Sequence, residues 1–404
     1  MQEQVNKIRK RVLERMDVFQ SSSDEEVLAL IWEEIKESRS GKLLSLEKRE
    51  QLSKSVFHSL RRLDVLQELV EDESITEIMV NGYEHIFYEQ GGKIFEWKGK
   101  FSSREKLEDI IQQIVAGNNR MVNESNPIVD TRLQDGSRVN IVLSPIALDG
   151  SVISIRKFPK EPMHMEQLIC YQSISREVVD FLAVLVKARY NIFISGGTGS
   201  GKTTFLNALS EFIPKDTRVI TIEDSAELKI TGIPNLVRFE TRNANVQGEN
   251  AISMRDLIRT ALRARPDIII VGECRGSEAI DMLQAMNTGH DGSLSTGHAN
   301  SCVDMISRLE TMVLMGMNLP LSAIRGQIAS GIDIMIHLGR MRDKSRKVLE
   351  VAEISGIENG AVSLHSLFRF RETGEKDGKI VGFWEKTGSL KHTQKLKAAG
   401  LWKE

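Results

Sequence analysis

Residues 191–209 read NIFISGGTGSGKTTFLNAL, an apolar run of strand length that breaks into glycine and passes through Lys202-Thr203-Thr204 into a helical pattern. Gly196 to Thr203 fits G-x-x-x-x-G-K-[ST], and a buried strand before with a helix after is the context that motif needs. The glycines let the backbone curl until its N–H groups and the helix N-terminus face anionic oxygens. Gly197, Thr198, Gly199, Ser200 and Gly201 are therefore read as a phosphate cradle. Lys202 is expected to reach the β- and γ-phosphates, Thr203 to hold Mg²⁺ through its hydroxyl, and Thr204 to touch the α-phosphate.

Around that loop the chain alternates helix, strand and loop from about residue 174 onward. The strands are NIFIS, RVITIE, DIIIVG, SLSTGH and IDIMIHL. This alternation predicts a mostly parallel sheet with helices on both faces, over 174–404. Before it, residues 75–158 change period: strand-like runs are separated by Asn81-Gly82, Gly91-Gly92 and Asp135-Gly136. Turn chemistry of this kind marks hairpins. A helix from about 103 to 116 shows Leu107, Ile110, Ile111 and Ile114 on one face. Residues 67–158 thus read as a small α+β domain and 159–173 as a linker. Residues 1–66 carry apolar residues at helical spacing (Val5, Ile8, Val12; Leu28, Ile31, Ile35; Leu52, Val56, Leu60) and read as a three-helix bundle, with Ser23 and Glu26 forming a capping box.

Composition narrows the function classes. The 404 residues carry 54 Lys and Arg against 56 Asp and Glu, a net charge of -2. There is no global cationic field to hold nucleic acid or an anionic membrane, so nucleic acid is not expected as a partner. Cys170, Cys274 and Cys302 are scattered without metal-ligand spacing, which favours a reducing compartment. The longest apolar run, FLAVLV, falls far short of the ~20 residues a membrane span requires. Contact with a membrane would go through a partner.

A phosphate grip becomes chemistry only when other groups converge on it. TIEDSAEL places Glu223 and Asp224 at the carboxyl end of a strand, where α/β sheets present functional residues. Glu223 is read as the base that orients water, on the expectation that its strand lies beside the loop strand. PDIIIVGECRG ends a second buried strand in Glu273, which resembles a Walker B acid reaching Mg²⁺ through water. The adjoining Cys274 is read as a packing thiol. His290 and His298, in NTGHDGSLSTGH, are read as γ-phosphate sensors.

Taken together, GGTGSGKTT, TIEDSAEL, LRARPDIIIVGECRG and MNTGHDGSLSTGHANS resemble the secretion-superfamily ATPases of types II and IV, most of all the CpaF branch that powers tight-adherence (Flp) pili. PIVDTRLQDGSRVN, SVISIRKF and the LFRF…GKIVGFW tail are also similar. The resemblance covers nearly the whole chain. It implies an α/β protein: a RecA-like P-loop ATPase domain, a PAS-like domain before it and a helical bundle first. It implies a homo-hexamer that hydrolyses ATP with Mg²⁺, cytoplasmic and peripheral at the inner face of the membrane, acting on inner-membrane platform proteins of a pilus or secretion machine. It assigns catalysis to Glu223, Glu273, Lys202 and His298, and implies that arginines of the small domain close over the phosphates. Arg138 and Arg156 match best, Arg132 is a third candidate, and Arg263 in LRARPD is a plausible interdomain contact. A nucleic-acid motor of RecA type and a nucleotide-gated scaffold that does not hydrolyse remain as alternatives.

Overall fold

The computed structural model describes residues 2–16, 23–38, 43–117, 120–159, 161–242, 244 and 249–402. The chain divides into two compact units, residues 1–160 and 161–404.

Unit 1 has two apolar cores. Helices α1 (Gln2–Arg15), α2 (Asp24–Glu37) and α3 (Leu46–Arg61) bury Val5, Val12, Ile31, Ile35 and Val56 among one another. Val27, not Leu28, takes the fully buried place on α2. The expected capping box is there: Ser23 Oγ accepts from Glu26 N–H while the Glu26 carboxylate accepts from Ser23 N–H.

The second core starts with a 3-10 turn at Asp64–Leu66 and α4 (Gln67–Glu71), whose Leu66 and Leu69 pack with a six-stranded sheet. Its strands are β1 (Ile75–Asn81), β2 (His85–Gln90), β3 (Lys93–Trp97), β4 (Ile128–Arg132), β5 (Arg138–Val142) and β6 (Val152–Arg156), in the order β3-β2-β1-β6-β5-β4. Every neighbouring pair is antiparallel. Gly91 and Gly92 take φ of +58° and +75°, the left-handed values a two-residue hairpin turn requires. Helix α5 (Arg104–Ala116) lays the expected stripe of Leu107, Ile110, Ile111 and Ile114 onto this core.

In unit 2 the structure differs from the reading of 159–173 as linker. Met165–Cys170 forms α6, and its Met165 and Leu168 are buried in the unit's core. Prolines and mixed charge up to Met163 hid a helix whose apolar residues are only three apart. Helix α7 (Arg176–Lys187) leads into β7 (Ile192–Gly196), then α8 (Lys202–Ser210), β8 (Arg218–Glu223), β9 (Asn235–Glu240), α9 (Met254–Arg263), β10 (Ile268–Cys274), α10 (Ala279–Asn287), β11 (Leu294–Gly297), α11 (Cys302–Gly316), α12 (Leu321–Gly331) and β12 (Ile334–Arg340). β13 (Arg346–Glu358), β14 (Ala361–Lys376), β15 (Lys379–Lys386) and α13 (Gln394–Ala398) follow.

Nine strands form one sheet, in the order β15-β14-β13-β12-β7-β11-β10-β8-β9. The span from β12 to β9 is parallel, as expected. Alternate residues of its central strands feed opposite cores: Ile192, Ile194, Ile268 and Ile270 on one face, Phe193, Ile269 and Val271 on the other. Each such side chain contributes ~1.5–3 kcal/mol of burial, so both faces need helices. The antiparallel extension from β13 to β15 and the half-buried strand β9 are not visible as strands in the apolar alternation.

One point of topology positions the site. β8 is not beside β7, as the reading of Glu223 required; β11 and β10 lie between them, an offset of roughly 14 Å at ~4.8 Å per strand. Among the described residues no helix is long and apolar enough to cross a membrane.

Candidate functional site

The loop between β7 and α8 has the geometry its sequence calls for. Gly199 and Gly201 sit at φ +70° and +92°, and Gly201 caps α8 with no side chain on the helix's first N–H groups. A Cβ on Gly196 would meet Ser200 Oγ at 2.5 Å and the Leu338 carbonyl of β12 at 2.6 Å. Only glycine allows that approach. Arg346 Nε donates to the Gly199 carbonyl at 2.8 Å. Ser200 Oγ is buried with no hydrogen-bond partner. Uncapped amides and an orphaned hydroxyl in one cradle are the donor set an anionic phosphate satisfies. Thr203 and Thr204, half-buried, occupy the first turn.

Lys202 is buried, and its ammonium donates to the carbonyls of Gly196 (3.1 Å) and Gly197 (3.2 Å) and to Nδ1 of His298 (3.2 Å). An ammonium can only donate, so Nδ1 accepts and the imidazole proton sits on Nε2. That Nε2 lies 2.6 Å from Glu273 Oε1. Arg275 closes the other side of the carboxylate, with Nη2 2.6 Å from Glu273 Oε2 and Nη1 3.8 Å from Asp224. Burial holds His298 below its ordinary value, with Lys202, Arg275 and Arg308 pulling the same way and Glu273 opposing. The ring is therefore neutral at neutral pH and joins two charged groups, one on each side.

This array fits Mg²⁺ with a nucleotide. Thr203 follows Lys202 in the first turn of α8, and the Glu273 carboxylate is tied to Lys202 through His298. Among the described residues no cluster of three His, Cys, Asp or Glu could hold a metal alone. Mg²⁺ commonly leans on substrate phosphates for the rest of its shell.

Glu223 ends β8 at the same sheet edge, opposite Gly272, where a Cβ would come within 2.9 Å of its Cγ. Its Oε2 accepts from the amides of Glu227 (2.7 Å) and Leu228 (2.8 Å), while its buried Oε1 has no hydrogen-bond partner. Burial pushes the carboxyl from 4.5 up to about 7 against the pull of those amides. Cys274, fully buried, has its thiol raised well above its ordinary range by burial, in keeping with a packing role.

Two expected residues are not brought to the loop. His290 precedes β11, so it lies at the amino edge of the sheet, whereas His298 follows β11 at the carboxyl edge. Four residues of strand separate the two by roughly 13 Å. The His290 ring bonds the Ala285 carbonyl at 3.3 Å, at the end of α10. Arg263, exposed, ends α9 just ahead of β10 and is also at the amino edge.

In unit 1 the expected arginines form a row. Arg132 pairs with Arg138 across β4 and β5, and Arg138 with Arg156 across β5 and β6. Their neighbours Thr131, Val139 and Ile155 are buried, so the row occupies the outer face of that sheet.

Beyond the tip of the nucleotide loop an open cleft of about 480 Å³ is walled by Gly197, Thr198, His298 and Asn300 on one side and by Asp304 and Arg308 of α11 on the other. Arg275, Arg346 and Arg308 escaped the sequence reading. Arg275 follows Glu273 by two residues and was there to be found. Arg346 and Arg308 reach the loop only through the fold.

A family model described as type II/IV secretion system protein matches residues 60–378. The type IV secretion system protein VirB11 of Bartonella quintana is 30% identical over 331 residues, covering 72% of this chain and 92% of that protein. PtlH, a type IV secretion system protein of Bordetella pertussis, is 30% identical over 315 residues, covering 72% and 93%. The crystal structure of the pilus retraction motor PilT with bound ADP has a TM-score of 0.52 at 22% identity, covering 76% of this chain and 82% of that one, and shows a shared fold. With the cradle, the acids and the histidine assembled on such a sheet, and the family model spanning most of its length, the chain belongs to the type II/IV secretion system family of ATPases.

Proposed function

We propose that this chain hydrolyses ATP with Mg²⁺ as the motor of a pilus or secretion machine, of the CpaF type that serves tight-adherence pili. It works as a homo-hexamer in the cytoplasm, against platform proteins of the inner membrane. The observation that carries the hydrolytic part is the linkage Lys202–His298–Glu273. It joins the phosphate-gripping ammonium to the carboxylate across one neutral imidazole.

In this reading the cradle amides and Lys202 bind the β- and γ-phosphates, and Thr203 with Glu273 would hold the Mg²⁺, which neutralises phosphate charge when bound. Glu223 is the base that orients water. Its unpartnered Oε1 and a pKa of about 7 match a group that takes a proton near neutrality. His298 reports on the γ-phosphate, because any anion that draws the Lys202 ammonium forward loosens its hold on Nδ1. The arginine row of unit 1 supplies further cations for the developing charge. Work comes from different affinities for triphosphate and diphosphate in two arrangements of the motor.

Phosphate release by the purified full chain tests this. Wild type turns over ATP only with Mg²⁺, and Lys202→Ala lowers the rate on the order of 100-fold or more. A wild type inactive in the presence of Mg²⁺, or a variant as fast as wild type, refutes the proposal.

A further inference from the structure

One cation facing the cleft is used by none of the motifs above. Helix α11 begins four residues after His298, with Ser301 Oγ accepting from Asp304 N–H at 2.9 Å. Its stripe of Met305, Ile306, Leu309, Met312 and Val313 is buried against the sheet. Helical geometry then turns Asp304, Ser307 and Arg308 outward, and these three line the cleft.

Arg308 is exposed and, among the described residues, makes no ion pair or hydrogen bond. Arg275 is committed to Glu273, Arg346 to the Gly199 carbonyl and Arg369 to Glu350, whereas Arg340, whose Nη1 stands 3.9 Å from where a Cβ on Gly199 would sit, does not line the cleft. Asp304 stands one turn before Arg308, at the spacing that permits a helical ion pair, yet the two are not paired. The guanidinium is thus left free toward the cleft, which it lines together with Gly197, Thr198 and His298 of the loop side.

The place of the cleft along a bound nucleotide follows from Lys202. The carbonyl of Gly197 and Nδ1 of His298, which hold the ammonium at 3.2 Å each, belong to residues that form the cleft wall. This lysine marks the β/γ end of the phosphate chain. The cleft therefore opens on the γ side, where a triphosphate has a charged group and a diphosphate has none.

We infer that Arg308 contacts the γ-phosphate from within the same chain and makes the site prefer triphosphate over diphosphate. The inference rests on the nucleotide reading of the loop. A guanidinium there adds charge-assisted hydrogen bonds that only the longer ligand can accept.

Calorimetric titration of the full chain with Mg²⁺ and either ADP or the non-hydrolysable ATP analogue AMP-PNP tests it. Arg308→Ala should weaken AMP-PNP binding about tenfold or more while ADP affinity stays within about twofold. Arg308→Lys, which keeps the charge but loses the fork, should recover part of the difference. Equal losses for both nucleotides, or no loss for either, overturn the inference. Lys202→Ala separates it from the parent reading, because that variant should lose both ligands. If wild type binds neither, the nucleotide reading falls and Arg308 falls with it.

Discussion

Thr-Gly-His occurs twice within eleven residues, at 288–290 and at 296–298. The first copy ends in a turn at the amino edge of the sheet, with its histidine on a helix carbonyl. The second runs along β11 to the carboxyl edge, where its histidine bridges Lys202 and Glu273. Identical tripeptides thus have unrelated surroundings. What separates them is the direction of one short parallel strand, which sends whatever follows it to the edge where the loop and the acids lie. The two glutamates make a related contrast: Glu273 stands in the ion-pair chain, whereas Glu223 is buried and capped by backbone amides.

The comparison of edges can be broken most directly through its acids. Glu273→Gln keeps the side chain's shape and removes the charge that faces His298. Turnover of ATP should fall roughly 100- to 1,000-fold with the fold intact by circular dichroism. A loss below about tenfold would place the chemistry elsewhere.

The histidine pair gives the next largest effect. His298→Ala should reduce turnover about 10- to 100-fold, whereas His290→Ala should leave it within about twofold. Equal effects from the two substitutions would mean that the edges are not functionally distinct.

The smallest effect is on stability and sharpens the contrast between the glutamates. Between pH 4.5 and about 7 the native protein holds the Glu223 proton while the unfolded chain has released it. The buried carboxyl therefore stabilises the fold fully below about 4.5, and that contribution is lost as pH rises through about 7. The rise corresponds to at most roughly 3 kcal/mol. Glu223→Gln cannot titrate, so in urea unfolding wild type should lose stability relative to it between pH 5 and pH 7.5. Parallel pH profiles would show that Glu223 titrates normally.

Legibility followed the range of the interactions. The phosphate loop, the capping box at Ser23 and Glu26, the Gly91-Gly92 hairpin and the stripe of α5 depend on residues within a turn or two of one another, and each appears where the sequence puts it. His290 and Arg263, by contrast, lie at the amino edge of the sheet, away from the loop. Their local patterns say nothing about which edge of the sheet they occupy. Arg308 and Arg346 were illegible because 106 and 144 residues, counted from Lys202, separate them from the loop they face.

The sequence alone determined a glycine-rich loop, with left-handed Gly199 and Gly201, between a strand and a helix. Its glycines, lysine and helix start are contiguous, so the conformation they favour needs no distant partner. It also determined a parallel sheet covered on both faces, because continuous aliphatic runs at strand length admit no solvent-facing side. Only the tertiary structure decided that β11 inserts between β7 and β10, putting His298 against Lys202 and leaving two strands between that of Glu223 and the loop strand. Strand order is set by the packing of whole helices onto both faces of the sheet, a sum over many distant contacts that no short stretch of sequence encodes.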